Sequence, residues 1–412
     1  MSENIQSISS ITTKFLDQPP SCLEFCPDDP DYFMIGTYLL EEDKEGINET
    51  ATVKQTKTGS LQLWHLDITK NEIDQKQVLS LPYAVFDLQF HPRQPTLLGI
   101  ASSDGSVALY RVSREVQDTN PHVQHIWTRS VHEEPSIPAL FLAWAPHDWF
   151  LQSGAAADGF AVTFSDGRTS IFALPSGRKD IACNEPDLVE TQFLPRENIE
   201  AWFVALATYA QPGSEKPFSY SFMGNDFGSL NVRKFACSED TGSDDDIALE
   251  ELKVSDTDDR ARHHTAGVTS ILPLPTPMIQ NAPVVLTGSY DEYTRVYHAT
   301  TRGAVLAEEQ LGGGVWRLRL IRTEEGDSET TFLVLASCMH AGTRVLRVVW
   351  KRGDPGLLDI GEWEIRVLGE FTEHESMNYA SGVREGVDAA SQLVCVSSSF
   401  YDKRLCLWKV DV

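Results

Sequence analysis

The chain has little of what would place it in a membrane or outside the cell. No stretch of its 412 residues approaches the roughly 20 consecutive apolar residues that a bilayer-spanning helix needs, so a soluble protein without a membrane partner is expected. The segment MSENIQSISSITTKF carries neither a basic region nor an apolar run, so it does not read as a secretion signal, and a cytoplasmic address is expected. The seven cysteines (Cys22, Cys26, Cys183, Cys237, Cys338, Cys395 and Cys406) are odd in number and form no C-x-x-C pair. That argues against a disulfide framework and a zinc ribbon, and for reduced thiols. Positive charge is scarce: 34 Lys and Arg stand against 60 Asp and Glu, a formal net charge of -26 with no basic stripe. Such a surface repels phosphate backbones, so nucleic acid is not expected as a direct partner. No G-x-S-x-G, H-E-x-x-H or G-x-x-x-x-G-K-[ST] occurs, which leaves the nucleophile elbow, the zincin helix and the phosphate loop without support.

What is present is a repeat. Seven segments share a turn dipeptide followed by an alternating apolar strand that often ends in an aromatic residue: TGSLQLWHL from Thr58, DGSVALYRV from Asp104, DGRTSIFAL from Asp166, FGSLNVRKF from Phe227, DEYTRVYHA from Asp291, AGTRVLRVV from Ala341 and YDKRLCLWKV from Tyr401. Their starts lie about 45 to 65 residues apart. Short apolar runs such as LLGIASS, VVLTGSY, FLVLASCM and LVCVSSSF precede them and pair with them as hairpins. Earlier in the units, VFDLQF, LFLAWAP, AWFVALA, VTSILPL and VWRLRLI read as inner strands. Period-two alternation without long helical periodicity predicts an all-β fold, a seven-bladed WD-repeat β-propeller forming one domain over residues 1–412. Few residues follow Trp408, so the segment around ITTKFL is expected to supply the last blade's outer strand and close the ring. The acidic stretch 238–260, SEDTGSDDDIALEELKVSDTDDR, reads as a solvated, disordered loop.

In a propeller, the tips between second and third strands and the connections into each inner strand emerge on one face. That face is expected to collect Glu200, Trp202, Asn225, Asp226, His264, Asp291, Glu292, Trp316, His340, His374, Tyr401 and Asp402 around one channel mouth. Each has a simpler explanation beside the functional one. An Asp at a tip caps its turn, a His before an inner strand orders its own blade, and a Trp packs the core. Cys338 and His340 lack ligand-like spacing, so no metal is expected.

At these positions the sequence resembles a known family. The ordered segments EAWFVAL, GNDFGSL, RHHTAGV, TGSYDEYTRVY, GGGVWRL, SCMHAGTRV, HESMNYASG and SSSFYDKRLCLW, from about Ile199 to Trp408, are similar to the WD-repeat diphthine methyl-ester hydrolases of the diphthamide pathway, the diphthine methyltransferase family. In RHHTAGV the match falls on His264 rather than His263, and the pattern departs from generic WD repeats at NVRKFA and VYHATT. The resemblance implies an esterase that removes a methyl ester from methylated diphthine on a histidine of elongation factor 2, acting as a monomer without a cofactor. Aromatic faces and carboxylates recognise the trimethylammonium group of such a substrate, and Trp202, Trp316, Tyr290, Asp291 and Glu292 are the residues suited to it. Glu200, Asn225, Asp226, Cys338, His340, Tyr379 and Tyr401 complete the expected binding surface. His374 or His264 would activate water, with Glu292 or Asp402 orienting the imidazole; Ser376, Cys338 or Ser399 is the alternative nucleophile. The competing reading is a scaffold that docks elongation factor 2 or another protein without chemistry of its own.

Overall fold

Short strands separated by tight turns follow one another through the chain and assemble as seven sheets that touch in sequence around a ring. The computed structural model describes residues 5–45, 52–115, 118–150, 158–174, 180–183, 186–210, 217–236, 249–353, 360–386 and 391–412. The architecture is a seven-bladed β-propeller. Each of the seven segments picked out by the repeat is the third strand of a blade. The innermost strands are Pro20–Phe25, Val85–Phe90, Ala139–Trp144, Ala201–Tyr209, Val268–Pro273, Arg317–Glu325 and Ala380–Val383.

The core is a set of wedges between neighbouring blades. Strands in these wedges bury both faces, as in Val284–Ser289, where every side chain is buried. Between blades 6 and 7 the wedge holds Leu333, Leu335, Val345, Phe371, Leu393, Cys395 and Trp408. Burying both faces of a sheet favours the continuous Val, Leu and Ile runs noted in the second strands.

Ring closure occurs where expected. Thr12–Phe15 pairs antiparallel with Arg404–Asp411, Thr12 lying opposite Leu407, so blade 7 is completed by the first part of the chain. Just before it, Gln6–Ile8 pairs parallel with the outer edge of blade 6, so the segment staples two blades. Two features depart from the sequence reading. The third strand of blade 1 is 16 residues long, Thr52–Asp67, and its first half pairs with Leu39–Glu45 as a two-stranded ribbon extending past the blade. The acidic segment is not loop throughout: 238–248 lies outside the described residues, but Leu249–Leu252 is a 3-10 turn and Lys253–Asp258 is the outer strand of blade 4. Its charge serves pairing there, since the Asp256 carboxylate accepts hydrogen bonds from Asn231 Nδ2 (2.8 Å) and Arg233 Nε (3.2 Å). The described cysteines are free thiols, all buried except half-buried Cys183; Cys237 lies outside the described residues.

Candidate active site at the channel mouth

Trp316 reaches the mouth because three glycines precede it. The segment Gly312–Gly314 passes between the Tyr290 turn and the Cys338 turn. A Cβ on Gly313 would sit 2.3 Å from the Cys338 carbonyl oxygen, and one on Gly314 would sit 2.8 Å from Met339 Sδ. At 313, where the neighbour is backbone, only glycine permits that approach. The backbone then delivers the indole over the channel at the head of the inner strand of blade 6.

Trp316 is the hub of an arc of half-buried rings. Its centroid lies 5.6 Å from Trp202, 6.0 Å from Tyr290 and 5.1 Å from Tyr379. The arc continues from Tyr379 to Phe400 (5.5 Å), to Tyr38 (6.1 Å) and to Phe86 (5.4 Å), drawing on every blade except blade 3. Most of these contacts are tilted or edge-on, which turns ring faces toward a shared space instead of stacking them into the core. Negative charge stands beside the rings. Asp226 accepts a hydrogen bond from Trp202 Nε1 at 2.6 Å. The Tyr290 hydroxyl is pushed up, first by burial and then by the charges of Asp226 and nearby groups including Glu200. Ring faces and carboxylates together favour a cation at this mouth.

Below Tyr379 the channel contains a cavity of about 180 Å³, lined among others by Cys22, Glu24, Asp87, Gln89, Arg317 and Arg319. Asp87 is 3% exposed, and its carboxylate accepts from Gln89 Nε2 at 3.0 Å and faces Arg317 Nη2 at 3.7 Å. Burial pushes this carboxyl up to about 7, against the opposing pull of Arg317 and the Gln89 bond. Glu24 pairs with Arg319 and accepts from the Phe90 N–H, and burial raises its carboxyl as well. The Arg317 guanidinium lies 4.6 Å from the Trp316 ring centre, linking the cavity to the rings above. None of these four charged residues stands out in the sequence. The available signal is a charge in the middle of an apolar inner strand, as in SCLEF, VFDLQF and VWRLRL.

The histidines occupy another place. His374 is 7% exposed, and its Nε2 lies 2.8 Å from Ser397 Oγ, which accepts from Trp408 Nε1 at 2.9 Å. The indole can only donate, so Ser397 Oγ accepts from it and shares a second hydrogen bond with the imidazole. His264, 1% exposed, makes the equivalent bond to Thr287 Oγ1 at 2.8 Å in blade 5. His132 fills a similar position in blade 3, bonded to Asp166. These rings tie a connection to its own blade and do not open onto the mouth, which corrects the expected placement of His264 and His374. Burial pushes His374 down to about 4 and His264 down to about 3. An unfolded chain takes up these protons near the ordinary 6.5, so their contribution to stability is complete above that pH and is lost as pH falls toward the folded values. The thermal midpoint is expected to fall between about pH 7 and about pH 4.5, with a shallower slope in His374→Gln than in the native chain. An equal slope in the two proteins would show that His374 does not titrate this way.

The expected acid and base pairings are not assembled either. Glu292 has a φ of 72°, in the left-handed turn position that Gly105, Gly167 and Gly228 fill in other blades, and its carboxylate accepts from Gln310 Nε2 at 3.1 Å. Asp402 accepts from Ser376 Oγ and from the Glu375 N–H, and Ser376 Oγ in turn accepts from the Tyr401 N–H, so Ser376 closes a turn. Asp291 accepts from the Thr265 N–H and pairs with Arg295 at 2.9 Å, and Asn225 Oδ1 caps its own turn at Phe227 and Ser229. Cys338 and Ser399 are fully buried, and burial raises the Cys338 thiol to about 12. His340, Tyr401 and Glu200 are exposed on the rim. Among the described residues no three His, Cys, Asp or Glu side chains converge as a metal site, and no helix is long and apolar enough to cross a membrane. The structure thus gathers Trp202, Asp226, Tyr290, Trp316 and Tyr379 from the expected set.

No family model matches the chain. Among solved structures, Sqt1 from Chaetomium thermophilum, bound to the N-terminus of ribosomal protein L10, superposes with a TM-score of 0.53 at 15% identity, over 95% of this chain and 86% of that one; this likeness bears on the fold alone. A protein named diphthine methyltransferase from Schizosaccharomyces pombe is 26% identical over 97% of both chains. A diphthine methyltransferase homolog from Dictyostelium discoideum is 22% identical over 96% of this chain and 98% of its own length. Over nearly its whole length, the chain is therefore a homologue of the proteins named diphthine methyltransferase.

Proposed function

We propose that this chain works in diphthamide biosynthesis as a methyl-ester hydrolase, removing the methyl ester of methylated diphthine on elongation factor 2 and leaving a carboxylate ready for amidation. The observation that carries the reading is the arc of rings around Trp316 with Asp226 beside it, above a cavity containing buried carboxylates and guanidinium groups. A quaternary ammonium cannot donate a hydrogen bond, so its recognition relies on ring faces and nearby negative charge, the groups present at this mouth. The ester lies close to that cation in the substrate, within reach of the cavity below. Water is the acceptor of the acyl group in this reaction.

The test is incubation of the purified full chain with elongation factor 2 bearing methylated diphthine, followed by intact mass. Loss of one methyl ester and appearance of methanol are expected, without any further protein. Binding without mass change would assign the chain to docking alone.

A further inference from the structure

We infer that Asp87 is the general base of this hydrolysis, taking a proton from a water in the channel cavity that its carboxylate and the Arg317 guanidinium both line. The inference rests on the ester-hydrolase reading above and adds the residues that carry out the chemistry.

Three observations converge on Asp87. First, the cavity of about 180 Å³ is several times the share of volume a water occupies in the liquid, roughly 30 Å³, so it has room for a water and a small ester group. Second, the Asp87 carboxylate and Arg317 Nη2 face each other at 3.7 Å, a loose ion pair that puts a base and a cationic stabiliser side by side on the same cavity wall. Third, Tyr379 lines the cavity and also belongs to the ring arc, 5.1 Å from Trp316, so a cation on the rings and an ester in the cavity are neighbours. Charged and titratable groups lining the same cavity are Glu24, Arg317, Arg319, Cys22 and Tyr379. Glu24 is held tightly by Arg319 and the Phe90 N–H, and the Cys22 thiol is raised by burial; Asp87, held by Gln89, keeps only a looser ion pair, 3.7 Å, to its arginine.

The step balances within these groups. Asp87 takes one proton from water while the hydroxide oxygen bonds to the ester carbon, and the carbonyl electron pair moves to oxygen beside Arg317. That pair then returns, the bond to the methoxy oxygen breaks, and Asp87 passes its proton to the departing methoxide. Methanol leaves, and the new carboxylic acid loses its proton to solvent. Because burial raises the Asp87 carboxyl to about 7, the base is ionised above that pH and inactive below it.

The experiment is steady-state ester hydrolysis by the full chain on methylated-diphthine elongation factor 2, native against Asp87→Asn, with thermal midpoints recorded for both. Asparagine keeps an oxygen for the Gln89 bond. The expected result is a fall in kcat of about 10²- to 10⁴-fold with KM changed no more than about twofold. The native rate should rise through about pH 7 to a plateau, a measurement that needs no variant. Native turnover with an equally active, folded Asp87→Asn, or a native rate flat well below pH 7, overturns the assignment and leaves the hydrolase reading intact. A native chain that binds its substrate and turns nothing over overturns both.

Discussion

Trp408→Ala is expected to lower the free energy of unfolding by about 3–5 kcal/mol, read as a shift of the urea midpoint. The indole is fully buried between blades 6 and 7 and stacks on Phe371 with ring centres 5.3 Å apart and planes within 6°. Its N–H is also the first member of the chain that runs through Ser397 to His374. Alanine removes the ring from a wedge that strands cannot collapse to refill, and it leaves the serine oxygen without its donor. Trp408→Phe separates the two contributions. It restores most of the packing but not the hydrogen bond, so a residual cost of about 1–2 kcal/mol is expected. Equal stability of the phenylalanine variant and the native chain would mean that the Ser397 bond contributes nothing. Ester hydrolysis by the folded fraction should be unaffected, because Trp408 is remote from the rings at the mouth.

The converse is expected of Trp202→Ala combined with Trp316→Ala. Each ring contributes about 0.5–2 kcal/mol to holding a cation, so kcat/KM should fall on the order of a hundredfold, mainly through KM. Neither ring is part of a blade wedge, and the thermal midpoint should move little. A neutral analogue in which a tert-butyl group replaces the trimethylammonium should bind the native chain weakly, with an inhibition constant that changes little in the double variant. Strong competition by the neutral analogue would mean that the rings recognise shape and apolar surface instead of charge.

These two residues also mark what the sequence discloses and what it conceals. The third strands are legible because turn chemistry and period-two alternation are local, and the same logic places ITTKFL in blade 7. Trp202, Tyr290, Trp316 and Tyr379 are legible as mouth residues because they sit at strand ends or turns whose face the topology dictates. Glu24, Asp87, Arg317 and Arg319 are not. A charge in an alternating strand has two possible directions, and which one faces the channel is decided only when seven blades close at a particular stagger. His264 and His374 are ambiguous for another reason. A histidine ahead of an inner strand is placed equally well to bond its own blade or to meet a substrate, and the choice depends on Thr287 and Ser397, more than 20 residues away in each case. Asp256 is misleading because acidic composition suggests solvation, whereas Arg233 and Asn231 across the blade supply it with partners.

The pairing of Thr12 with Leu407 has a consequence in time. Strands Thr12–Phe15 and Arg404–Asp411 are separated by nearly the whole chain, and in synthesis the first of them emerges long before its partner exists. Contacts this distant along the chain form late and slowly, since loop closure must precede the contacts that reward it. During translation, Phe15 and its neighbours present an edge that stays unpaired until Arg404–Asp411 has been made. Ring closure therefore waits on Arg404–Asp411, and the edge that this strand covers is open to misassembly until the two pair.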